Sequence, residues 1–119
     1  MRVLLVEDEP LLLMAGTDML TDLGHQVVAM ATALSSALQA ACSADFDIAV
    51  LDVNLNGDRI DEVAALLASR GIPFVFTTGY SARTLPAGFA DRPYVGKPFE
   101  TRQLDEALRA ACGDGATAA

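Results

Sequence analysis

The sequence predicts an α/β fold, a doubly wound parallel sheet with helices on both of its faces. Three observations carry that reading. Short apolar or β-branched runs alternate with stretches whose apolar residues recur at helical spacing, the order expected of successive βα units. The run Ile48-Ala49-Val50-Leu51 is apolar at every position, as a strand covered on both faces must be. Proline and glycine punctuate the pattern where helices should start and stop, at Pro10, Gly24 and Gly71.

Each element follows in order. Arg2 to Val6 is the first strand. Pro10 suits the first turn of a helix along which Leu12, Ala15, Met19 and Leu23 recur until Gly24 stops it. Gln26 to Met30 reads as the second strand, with Thr32 as cap to a helix facing inward through Leu34, Ala37, Leu38 and Ala41. Asp47 to Leu51 is the third strand, followed by a polar loop from Asp52 to Arg59. Ile60, Val63, Ala64 and Leu67 give the next helical face, closed by Gly71. Pro73 to Thr78, rich in Phe and Val, is the fourth strand. Tyr94 and Val95 form a short fifth, and Leu104, Ala107, Leu108 and Ala111 line one side of the last helix. Between these strands, Ser81 to Pro93 contains Pro86, Gly88 and Pro93. Proline removes a backbone donor and glycine costs about 1 kcal/mol relative to alanine in a helix interior, so the fourth helix is expected to be short or irregular. Residues 1–112 therefore read as one domain, and 113–119, small and Gly- and Ala-rich, as a flexible tail.

Composition narrows the function. A length of 119 residues suits a single domain, and 52% hydrophobic with 20% charged residues suits a soluble globular one. The formal charge of −8 argues against nucleic acid, whose phosphates require clustered Lys and Arg. No apolar run approaches the ~20 residues of a membrane span and no signal-peptide pattern opens the chain, so the cytoplasm is the expected location. Cys42 and Cys112 sit in helical patterns without ligand spacing and are expected to be small core residues; His25 gains no chemical role.

In a doubly wound sheet, ligands bind outside the carboxyl ends of the strands. Glu7, Asp8 and Glu9 follow the first strand, Asp52 the third, Thr78 and Gly79 the fourth, and Lys97-Pro98 the fifth. Three or more carboxylates, a hydroxyl and an ammonium thus meet in one crevice. Carboxylates this close repel, which raises the pKa of one of them, and a hard divalent cation removes the conflict. Mg²⁺ fits a set of carboxylates, waters and phosphate. Each residue alone has an ordinary explanation: acidic residues favour a helix N-terminus, Asp52 can cap a turn, Thr78 can end a strand, and Lys97 can be a surface charge. Jointly these explanations fail, because all four strand ends carry chemistry.

At this point a family likeness becomes specific. Val3-Leu4-Leu5-Val6-Glu7-Asp8-Glu9-Pro10, Leu51-Asp52-Val53-Asn54-Leu55, Thr77-Thr78-Gly79-Tyr80 and Tyr94-Val95-Gly96-Lys97-Pro98-Phe99 together resemble the receiver domain of two-component response regulators, in order, from Met1 to about Cys112. The resemblance implies a CheY-like, flavodoxin-like (βα)5 sandwich with strand order 2-1-3-4-5, here as a stand-alone domain. It implies Asp52 as phosphoacceptor and Mg²⁺ held by Glu7, Asp8, Asp52 and the backbone carbonyl of Asn54. Thr78 and Lys97 would contact phosphate, Tyr94 would be the aromatic switch, and the peptide before Pro98 would be cis. The implied partner is a sensor histidine kinase or a histidine phosphotransfer protein, and the implied state a monomer or weak dimer. Such a domain is a signalling phosphoacceptor, catalysing only its own phosphorylation and dephosphorylation. Pro73-Phe74-Val75-Phe76-Thr77-Thr78-Gly79-Tyr80 is also similar to the signature of the FATGUY single-domain regulators of alphaproteobacterial stress phosphorelays, with Thr77 in place of Ala.

Three other readings fit the sequence less well. A Mg²⁺-dependent phosphohydrolase would place its nucleophile after the first strand with an acidic residue two positions on, whereas Asp52 follows the third and that position is Asn54. A flavin binder would cradle phosphate with Ser, Thr and Gly after the first strand, where this chain has Glu7, Asp8 and Glu9. A degenerate receiver kept as a binding module would have lost part of the acidic, Asp, Thr and Lys set. The loop after Asp52 also lacks the proline that many receivers carry there.

Overall fold

The computed structural model describes residues 1–79 and 85–113. Along the chain run β1 (Arg2–Val6), α1 (Pro10–Asp22), β2 (Gln26–Ala31), α2 (Leu34–Ser43), β3 (Ile48–Asp52), β4 (Asn54–Leu55), β5 (Asp58–Arg59), α3 (Asp61–Ser69), β6 (Phe74–Thr78), β7 (Tyr94–Gly96) and α4 (Thr101–Ala111). Five strands form one parallel sheet in the order β2-β1-β3-β6-β7, which is 2-1-3-4-5 when its own strands are counted. The doubly wound reading holds.

Alternation along each strand feeds two cores. Leu4 and Val6 of β1, Ala49 and Leu51 of β3, and Phe74 and Phe76 of β6 point to the layer made by α2 and α3. Val3 and Leu5, Ile48 and Val50, and Val75 point to the layer made by α1 and α4. Every residue of β3 is buried, as the continuous apolar run required. The predicted faces of α2, α3 and α4 are the buried ones. That of α1 holds at Met19 and Leu23, which pack against the core, but is shifted in the first turns. Gly16 and Leu20 are buried while Leu12 is exposed, because Leu11 to Met14 is apolar all round and leaves the phase undetermined. Gly16 settles it by close approach: a Cβ there would lie 3.4 Å from Cδ2 of Leu5.

Other local expectations shift. Thr32 does not cap α2; the N-cap is Ala33, whose N–H donates to the Ser36 hydroxyl at 3.3 Å, so the cap is supplied from inside the helix. Cys42 is exposed, off the inward stripe of its helix, whereas Cys112 is half-buried against the α1–α4 layer, and neither forms a disulfide. Among the described residues no helix is long and apolar enough to cross a membrane.

After β6 the chain is pinned without a helix from 85 to 93. Leu85 is buried in the α2–α3 layer and Phe89 packs beside it. Turns are closed by the Phe89 N–H to the Pro86 carbonyl and the Arg92 N–H to the Phe89 carbonyl, each 3.0 Å. The Phe89 ring meets Phe74 edge-on at 5.6 Å, and the Arg92 guanidinium lies over both rings, at 4.8 Å from Phe74 and 5.3 Å from Phe89. Tyr80, the rest of the expected fourth helix (81–84) and the tail from 114 lie outside the described residues.

Phe74 is therefore a keystone for both β6 and this segment. Replacing it with Ala should lower unfolding stability by about 3–5 kcal/mol in urea denaturation. Leu11→Ala, at an exposed site on α1, should change it by less than about 0.5 kcal/mol.

Candidate functional site

The crossover from β1 leads to one side of the sheet and that from β2 to the other, so the carboxyl ends of β1 and β3 flank the switch point where a crevice opens. A cleft of about 520 Å³ lies there. Glu7, Asp8, Asp52, Asn54, Thr78 and Lys97 all line it, together with Glu9. The register explains why. Glu7 follows β1 directly, its N–H bound to the Ala31 carbonyl at 3.0 Å. Asp52 is the last residue of β3, and beyond it the Val53 N–H donates to the Thr77 carbonyl at 3.0 Å. Thr78 ends β6 opposite Gly96, and the Lys97 N–H donates to the Thr78 carbonyl at 2.7 Å.

At the centre, the Lys97 ammonium bridges two carboxylates, 2.8 Å from Glu7 Oε1 and 2.9 Å from Asp52 Oδ2. Glu7 and Asp52 are only 5% and 4% exposed. Their remaining oxygens accept backbone donors: Glu7 Oε2 from the Glu9 N–H at 3.1 Å, and Asp52 Oδ1 from the Asn54 N–H at 3.2 Å. Ligand oxygens of Glu7, Asp8 and Asp52 lie within 4.8 Å of one another. Three carboxylates and one ammonium leave two negative charges when all are ionised. A hard divalent cation matches this donor set in charge and in ligand type.

The electrostatics show the strain of that arrangement. Burial pushes the Glu7 carboxyl up from 4.5 to about 7, and the nearby Asp52 charge adds to this, against the opposing pull of Lys97 and the Glu9 N–H. Burial alone would lower the Lys97 ammonium, but its hydrogen bonds to Glu7 and Asp52 outweigh that and leave it raised.

Some sequence-predicted residues fall elsewhere. Tyr94 opens β7 and is 42% exposed, outside the cleft. The Lys97–Pro98 peptide is cis. Two polar cleft residues were missed in the sequence, Asn56 and Arg59. The loop after Asp52 is not merely polar but a tight hairpin in which β4 pairs with β5. Asn56 and Gly57 both take positive φ, 55° and 97°, the conformation of a type I′ turn. The dipeptide Asn-Gly between Leu55 and Ile60 was the available signal.

Comparison with known proteins decides the family. The sequence profile of the response regulator receiver domain matches residues 3–109. The chain belongs to that family. It is 32% identical to the transcriptional regulatory protein PdtaR of Mycobacterium tuberculosis over 92% of its own length, spanning 56% of that protein. The solution structure of SdrG from Sphingomonas melonis Fr1 superposes with a TM-score of 0.84 at 40% identity, covering 93% of this chain and 95% of that one. The receiver domain of the sensor histidine kinase PA1611 from Pseudomonas aeruginosa, solved with magnesium coordinated in its active-site cleft, shares the fold with a TM-score of 0.75 at 23% identity, covering 94% and 97%. This receiver is thus a response-regulator module of two-component signalling, a family of signalling domains and not of classical enzymes.

A pH signature follows from Glu7. Its folded-state pKa lies above the unfolded one, so its contribution to stability is fully present below pH 4.5 and is lost as pH rises through about 7. Metal-free protein should therefore lose urea stability between about pH 5 and about pH 8 more steeply than its Glu7→Gln variant. Parallel curves for the two proteins would assign the slope to other groups.

Proposed function

We propose that this receiver accepts a phosphoryl group on Asp52 from a histidine kinase or histidine phosphotransfer protein, with Mg²⁺ as cofactor. The observation that carries the reading is the Lys97 ammonium held between Glu7 and Asp52 with Asp8 alongside. A carboxylate oxygen of Asp52 forms the new bond to phosphorus as the bond from phosphorus to the donor imidazole nitrogen breaks, the electron pair leaving with that nitrogen. Lys97 already touches Asp52, so its charge is in place to offset the negative charge on the incoming group. The Thr78 hydroxyl, at the adjacent strand end, donates to a phosphoryl oxygen afterwards. Glu7, Asp8, Asp52 and the Asn54 carbonyl would hold Mg²⁺, which when bound supplies Lewis-acid neutralisation of the phosphoryl charge. The added charge and acceptor oxygens draw Thr78 and Lys97 inward and bias the surface that includes Tyr94.

The FATGUY-like run from Pro73 supports a role in a phosphorelay. A cytoplasmic location suits a partner that is a kinase or phosphotransfer protein.

Incubation with acetyl phosphate and Mg²⁺ should add one phosphoryl group by intact-mass measurement, and Asp52→Asn or Asp52→Ala should abolish it. Full labelling of either variant would remove Asp52 from the role. Asp8→Ala deletes a carboxylate from the metal set and should weaken Mg²⁺ binding in calorimetric titration by about tenfold or more. Equal affinity would put the metal elsewhere.

A further inference from the structure

Among the described residues that wall the cleft, one cation besides Lys97 is present: Arg59. It stands on β5, paired directly across the hairpin with Asn54, which is two residues beyond Asp52. Partners in an antiparallel pair are about 5 Å apart, so the fold sets an arginine beside the acidic centre. The hairpin holding it is tied down at both ends. The Asn54 side-chain oxygen accepts the Gly57 N–H at 2.7 Å, the Ile60 N–H donates to the Val53 carbonyl at 3.1 Å, and Leu55 and Ile60 are buried.

The charge balance leaves room for a second cation. Lys97 is already shared between two carboxylates, and a phosphoryl group brings further negative charge to their side. Arg59 Nε contacts Asp61 Oδ1 at 3.1 Å, but both side chains are 49% exposed, and such pairs are worth little in water. A guanidinium offers several donors at once to a tetrahedral oxyanion, so phosphoryl oxygens compete well for it.

We propose that Arg59 is a second phosphate-contacting residue of this receiver, carried on the β4–β5 hairpin, which binds the phosphoryl group entering or resting on Asp52. The inference rests on the phosphoacceptor reading of the preceding subsection. It has a sign that a merely structural role lacks. Arg59 attracts a phosphoryl group but repels a divalent cation in the same cleft, so its removal should affect the two ligands in opposite directions.

The test compares parent, Arg59→Ala, Arg59→Lys and Asp61→Asn. Beryllofluoride affinity at saturating Mg²⁺, the rate of labelling by acetyl phosphate, and Mg²⁺ affinity alone are measured on each. Arg59→Ala should bind beryllofluoride and be labelled about three- to tenfold less well, while Mg²⁺ affinity stays equal or tightens. Arg59→Lys should recover part of the loss, and Asp61→Asn should match or exceed the parent. Parent-like beryllofluoride binding and labelling in Arg59→Ala overturn the proposal. So does a parallel loss of Mg²⁺ affinity, which would make the residue a support for the hairpin. A parent that takes neither beryllofluoride nor phosphoryl overturns the phosphoacceptor reading itself, a result recognisable before any variant is compared.

Discussion

Two carboxylates can lie buried side by side at the edge of this sheet because one ammonium is delivered between them. Glu7 and Asp52 arrive from adjacent parallel strands, and without Lys97 they would repel at short range in a poorly solvated cleft. The strand order is what brings the cation. β7 lies two strands from β3, and the bond from the Lys97 N–H to the Thr78 carbonyl carries the chain past the end of β6 toward the centre. Even so, compensation is incomplete. Glu7 remains displaced to about 7, because burial outweighs the pull of Lys97 and the Glu9 N–H.

The hairpin after Asp52 is the second device that shapes the cleft. In two residues of turn the chain reverses and returns to bury Ile60 ahead of α3, with Leu55 buried on the way. Positive φ at Asn56 and Gly57 matches the right-handed twist of the paired segments, which a proline at Asn56 could not do. The wall that results is built from backbone and polar side chains, so it can face water while its root is dry.

Much of this was legible in the sequence, for identifiable reasons. β3 and β6 announced themselves because strands buried on both faces must be apolar throughout, and the rule for ligand position in doubly wound sheets gathered Glu7, Asp8, Asp52, Thr78 and Lys97 without coordinates. α2, α3 and α4 were phased correctly by apolar spacing against polar opposite faces. α1 was phased correctly at Met19 and Leu23 but not in its first turns, since four consecutive apolar residues carry no phase there and the contact of Gly16 with Leu5 fixes it. Cys42 was misplaced because a small sulfur side chain is compatible with either side of a helix, while Cys112 does pack in part against the α1–α4 layer. Arg59 went unseen for another reason: its place in the cleft comes from cross-strand pairing with Asn54, visible only once Asn-Gly is read as a turn and not as generic loop.

The split of the interior into two cores has a consequence for how this domain tolerates change. Val50 and Leu51 are neighbours in sequence, yet one packs with α1 and α4 and the other with α2 and α3. Substitutions confined to opposite layers share no side-chain partners, so their energetic effects should sum, whereas pairs within a layer, such as Leu51 with Phe76, should show thermodynamic coupling. The two helical coats can therefore drift independently over evolutionary time, each compensated locally. β1, β3 and β6 belong to both coats, and of these β3 lies at the middle of the sheet and also ends in Asp52, so a change along it is felt by both layers and by the cleft at once.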